Sequence, residues 1–201
     1  MSKSVIAAVL AMVLLAGCAG RFETDYPTAA PSDVVATWAL GNVRVALPQD
    51  LDVNEANTFA PRGDIVWHGD PTTGDRRAQV ESIVEDGVRK GASGLSGTDP
   101  VSIGVTVMRF HAVTPRAVNS APGAVHNVVF SAQVFDSTGA PLTAPTVIQA
   151  DLEAFVGSAA VVAAQEGQTQ RVRITDHIAA VTAAWLGIGP DVRRSFRSWG
   201  R

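Results

Sequence analysis

Pro100–Val113 reads PVSIGVTVMRFHAV, and its alternation decides the fold. Val101, Ile103, Val105 and Val107 fall on one side of an extended chain, because successive side chains of a strand point to opposite faces. Two later stretches repeat the pattern. Val125–Asp136 sets Val128, Phe130, Ala132 and Val134 on one face. Thr146–Gly157 sets Ile148, Ala150, Leu152, Ala154 and Val156 against Gln149, Asp151 and Glu153. One apolar face and one solvated face is the pattern of an antiparallel sheet. Asp136-Ser137-Thr138-Gly139 supplies the turn between the last two strands.

Upstream, Asn42–Pro48 (NVRVALP) alternates Val43, Val45 and Leu47 with polar neighbours, a first strand. Gln49–Gly63 reads as a loop, and Asp64–Trp67 as a short strand ending at the turn His68-Gly69-Asp70-Pro71. Asp75 suits a helix N-cap, since its short carboxylate can accept from free backbone N–H groups. The helix after it spans about Arg76–Lys90, with Val80, Ile83, Val84, Gly87 and Val88 on one face. Gly91–Gly97 returns the chain, and because these glycines follow a helix they do not form a phosphate-cradling loop. A final helix, about Arg171–Leu186, carries Ile174, Ile178, Val181 and Trp185 as one stripe. The order strand, strand, helix, three strands, helix predicts an α+β two-layer sandwich: a mainly antiparallel twisted sheet with two helices on one face.

The ends of the chain read differently. Lys3, the apolar run Val5–Leu15 and the small residues before Cys18 form a secretory signal pattern over residues 1–17. That run is too short to span a bilayer, which takes ~20 apolar residues. Residues 18–33 carry prolines and no apolar period, so they read as a tether, leaving 34–189 as one domain and 190–201 as a basic, aromatic tail. Cys18 is the single cysteine, so no disulfide forms within the chain, and if Cys18 is acylated no thiolate nucleophile or thiolate metal site is left. A hydrophobic fraction of 46% with 17% charged residues excludes a disordered chain. The formal net charge of −3 gives no support to a nucleic-acid partner.

Leu15-Ala16-Gly17-Cys18 resembles the lipobox of bacterial lipoproteins. That resemblance implies cleavage before Cys18, acylation of Cys18, and a periplasm-facing protein held in the cell envelope. Ala19, in place of the aspartate that retains some lipoproteins in the inner membrane, implies the outer membrane over the inner. Residues 50–71, 74–80, 110–118, 124–130 and 167–178 resemble an uncharacterised family of bacterial lipoproteins, a domain of unknown function, with no catalytic assignment to carry over. The element order, with Trp67 ahead of the first helix, is also similar to auxiliary lipoproteins of ABC-type transport systems. This implies a non-enzymatic accessory with an envelope protein partner.

No catalytic or cofactor signature is present: no Gly-x-Ser-x-Gly, no His-Glu-x-x-His and no dinucleotide fingerprint. His68, His111 and His126 could hold zinc with Asp70, or bond backbone at strand ends; the missing short-range ligand spacing favours the second reading, and no metal is expected. Arg76 and Arg77 stand in a first helical turn, where the dipole disfavours positive charge. Either a neighbouring carboxylate (Asp64, Asp70 or Asp75) compensates them, or an anionic or lipid headgroup binds there, with Asp70, Trp67 and His68 beside it. In the tail, Val192, Phe196 and Trp199 step at helical spacing beside Arg193, Arg194, Arg197 and Arg201. That segment is either a short membrane- or partner-binding helix or a frayed terminus.

Overall fold

The computed structural model describes residues 21–199. The signal segment and Cys18 lie outside the described residues. Thirteen elements follow in order: β1 (Arg21–Asp25), α1 (Ser32–Val35), β2 (Trp38–Ala46), β3 (Ile65–Val66), α2 (Arg76–Ala92), β4 (Asp99–His111), α3 (Pro115–Ser120), β5 (Ala124–Phe135), β6 (Thr146–Ala150), β7 (Leu152–Ala154), α4 (Gly157–Gln165), α5 (Gln170–Trp185) and β8 (Arg197–Trp199). The strands form one sheet in the order β2-β4-β5-β6-β1-β8, with β3 beside β4 and β7 beside β5. Most pairings are antiparallel; β2 and β3 run parallel to β4. The α+β two-layer architecture read from the sequence is the one observed.

The alternating faces become the core. Val101, Ile103, Val105 and Val107 of β4, Val128, Phe130, Ala132 and Val134 of β5, and Ile148 and Ala150 of β6 are all buried. They meet Val80, Ile83, Val84 and Val88 of α2 and Ile174, Ile178, Val181 and Trp185 of α5 in one cluster. Asp75 caps α2 by accepting from Arg77 N at 2.8 Å and Ala78 N at 3.3 Å. Helix α2 runs on through Gly91, and α5 packs close at its two glycines. A Cβ on Gly87 would lie 2.7 Å from Ile178 Cβ, and one on Gly91 2.3 Å from the Ala179 carbonyl oxygen.

Three expectations are corrected. The segment read as a tether holds β1, which pairs with β6 through Thr24 and Asp25 and with β8 through Arg21, Phe22 and Glu23. Its inner side is polar: Thr24 is fully buried, and its hydroxyl donates to the Asp151 carbonyl at 2.8 Å. Over its described residues, 190–199, the tail is neither helix nor frayed end. Tyr26 Oη donates to Asp191 at 2.9 Å and accepts from Val192 N at 2.9 Å, Arg194 N donates to the Thr24 carbonyl at 2.8 Å, and β8 pairs with β1. The exposed edge of β1 offers backbone groups that a strand satisfies and an isolated short helix does not. The single strand expected over 146–157 breaks at Asp151, which turns its carboxylate inward, and α4 follows it.

Candidate functional site

The five residues grouped at the start of α2 do not form one site. The Arg76 side chain is 8% exposed, and its guanidinium is filled by the protein itself. It donates to Glu55 Oε2 at 2.9 Å, Gln79 Oε1 at 3.0 Å, and the carbonyls of Pro71 and Thr72 at 3.2 and 2.7 Å. Arg77 donates to the carbonyls of Pro48, Gln49 and Leu51. The guanidiniums therefore find their partners in loop carbonyls, Gln79 and Glu55 rather than in Asp64 or Asp70. Together the two arginines staple residues 48–55 and 71–72 to the helix. Trp67 is fully buried, edge-on to Phe110 with ring centroids 5.8 Å apart, a core residue.

His68 and Asp70 face a separate cavity, with His68 close enough to Arg76 to feel its charge. They line this cavity, of about 250 Å³, with Phe155 and the α5 residues Gln170, Arg171 and Arg173. Arg173 lies 3.5 Å over the Phe155 ring and donates to the Glu153 carbonyl at 2.7 Å. Arg171 turns to Ser82 and Asp86. Two buried polar atoms, His68 Nε2 and Gln170 Oε1, have no protein partner. Burial pushes the His68 imidazole below its usual pKa, and the Arg76 charge adds to the effect.

The three histidines do not meet. In the β4–β5 register His111 faces Asn127, which puts His126 on the opposite face of the sheet, fully buried with neither ring nitrogen partnered. Burial lowers the His126 pKa to about 3, reinforced by Arg173 and His177. His177, within 3.2 Å of Thr24 Oγ1, is lowered to about 4, also by burial first. Among the described residues no three His, Cys, Asp or Glu side chains gather as a metal site.

A second concavity, of about 490 Å³, opens where β1 and β8 meet the α3–β5 turn. Phe22, Phe59, Ala121, Pro122, Val125 and Trp199 line it, and Trp199 is 66% exposed and Phe59 44%. Arg21 lies 5.7 Å from the Trp199 ring centroid and Arg116 4.9 Å from that of Phe59. Sequence reasoning picked out Trp199 and Arg197 but not Phe22 or Phe59, because the face is assembled from four separate segments.

These features define a small α+β domain whose sheet edge, made by both ends of the described chain, carries an apolar, basic face. The chain belongs to DUF6778, a family of unknown function, whose model matches residues 38–201. Among solved structures it is similar to a candidate lipoprotein from Caulobacter crescentus CB15, at 12% identity and a TM-score of 0.32, covering 80% of this chain and 98% of that one. It is also similar to the PelC dodecamer from Paraburkholderia phytofirmans, at 14% identity and a TM-score of 0.32, covering 82% and 96%. Likeness at this level defines no shared site. No curated protein matches the chain.

Proposed function

We propose that this protein is a lipid-anchored, periplasm-facing accessory of the cell envelope, without a catalytic role, that supports or docks on an envelope complex. One observation carries the reading: Cys18 of Leu15-Ala16-Gly17-Cys18 stands three residues ahead of Arg21, which already lies in the described sheet. A lipobox so placed ties the domain directly to a membrane. Multiple acyl chains make such an anchor stable where a single chain binds only marginally. Ala19 favours the outer membrane as its address. Crosslinking of the full chain in intact cells, followed by purification through this chain, tests the accessory role. Stoichiometric recovery of a component of one envelope assembly is expected; recovery of the chain alone contradicts it.

The alternative, binding of a small anionic ligand, moves from Arg76 and Arg77 to the cavity beside His68. The unpartnered His68 Nε2 and Gln170 Oε1 favour it. Perturbation of the His68 imidazole NMR signals on titration with inorganic phosphate supports that reading, and an unchanged spectrum removes it.

A further inference from the structure

We propose that the β1–β8 end of the sheet lies on an anionic bilayer surface, with Trp199 and Phe59 at headgroup level. This rests on the acylation of Cys18 proposed above and adds the orientation of the domain on the membrane.

Chain length sets the first constraint. Arg21 is already in β1, paired with β8. A chain extends at most ~3.3–3.6 Å per residue, so the three residues from Cys18 to Arg21 reach about 11 Å. The interfacial layer on each side of a bilayer is itself several ångströms thick, because the hydrocarbon core takes ~30 Å of a total ~40–45 Å. With Cys18 anchored in that layer, the Arg21 end of the sheet cannot stand clear of the surface. A 16-residue tether would have left the orientation of the domain free; three residues do not.

The chemistry of that end is the second constraint. Trp199 stands opposite Arg21 in the β1–β8 register, and 66% of it is exposed. Phe59 and Phe22 share the same groove of about 490 Å³ with Pro122 and Val125, Phe22 reaching it from the other side of β1 than Arg21 and Trp199, so groove and cations meet at the sheet edge. Tryptophan is enriched at membrane interfaces because its ring is apolar and its N–H needs a polar neighbour. Arg21 and Arg116 lie against the two exposed rings, and Arg197 sits 3.6 Å from Glu23. Glu23 also pairs with Arg21 at 2.6 Å, so one carboxylate answers two guanidiniums. With Arg116, the face keeps an excess of positive charge, which an anionic leaflet attracts. An exposed apolar face rimmed by cations, at the end of the chain nearest the anchor, matches a bilayer in both shape and charge.

Tryptophan fluorescence tests this, because Trp38, Trp67 and Trp185 are buried at 3%, 0% and 0% exposure while Trp199 is not. The full chain, extracted from membranes with its lipid, is reconstituted into phosphatidylcholine–phosphatidylglycerol vesicles whose acyl chains carry bromine near the headgroup. Emission should fall by about a quarter relative to unbrominated vesicles, the share of one tryptophan in four. The W199F variant should show no difference between the two vesicle types. Omitting phosphatidylglycerol should weaken the quenching; equal quenching without it overturns the role of the arginines. An acylated chain that floats with the vesicles but is not quenched overturns the orientation alone. A chain whose intact mass shows no acyl group overturns the anchoring, and the orientation with it.

Discussion

Replacing Asp151 tests how β1 is held in the sheet. Its carboxylate is fully buried and accepts three hydrogen bonds: from Asn127 Nδ2 at 2.7 Å and Val128 N at 3.0 Å on Oδ1, and from Glu23 N at 3.0 Å on Oδ2. A buried donor left without an acceptor costs about 1–3 kcal/mol. Asp151→Ala orphans three donors, and losing the buried charge also removes some desolvation cost, so the net destabilisation should be about 3–5 kcal/mol. Asp151→Asn keeps Oδ1 for Asn127 and Val128 but turns an amide N–H towards Glu23 N–H. Its cost should be about 1 kcal/mol, confined to β1, or ~2–4 °C in Tm for a chain of this size. Urea unfolding measures the global loss, and hydrogen exchange at the Glu23 and Val128 amides locates it. In the Asn variant the Glu23 amide should exchange about five times faster while Val128 keeps its protection. An Ala variant within 0.5 kcal/mol of the natural chain, or an Asn variant in which both amides change equally, refutes the reasoning. Burial also holds the Asp151 carboxyl above the usual carboxylate pKa, outweighing its hydrogen bonds. A raised folded-state value means that its contribution is fully present below the unfolded pKa and is lost as pH rises through the folded one, so the Asn variant should lack that slope.

Other outcomes follow from the same geometry. His126 and His177, lowered by burial to about 3 and about 4, contribute stability that is full above their unfolded value and lost as pH falls through those two folded values. Two protons give a slope of up to about 2.7 kcal/mol per pH unit below pH 6, and His126→Leu should halve it in urea titrations across pH. Arg76→Ala should cost about 2–3 kcal/mol by removing the buried guanidinium and its charge-assisted hydrogen bonds, and Arg76→Lys should recover little because an ammonium cannot reach four acceptors as a fork does. Gly91→Ala gains about 1 kcal/mol of helix propensity but should still destabilise by about 1–3 kcal/mol through overpacking against Ala179, which differential scanning calorimetry reports as a lower Tm.

Legibility in the sequence followed the physics that holds each element. Strands β4, β5 and β6 and helices α2 and α5 are held by apolar burial, which writes a period into the chain, and their core faces were readable residue by residue. The Asp75 cap was readable because capping is local. Strand β1 was not, because RFETD has one apolar residue, Phe22, and is held by Thr24, Asp151 and a backbone edge. The alternation of residues 146–157 runs straight through the break at Asp151, whose partners come from β1 and β5. Arg76 and Arg77 stood out correctly as misplaced charge, yet most of their acceptors are loop carbonyls, some almost thirty residues upstream, and carbonyls leave no mark in a sequence. The groove at Phe22, Phe59 and Trp199 draws on four segments, so no local pattern announces it.

The intact mass and N-terminal sequence of the protein extracted from cell membranes test the central claim most directly. The account predicts a chain that begins at Cys18 and carries a diacylglyceryl group on that residue. A chain that retains residues 1–17, or one cut after Cys18 and free of lipid, would contradict it.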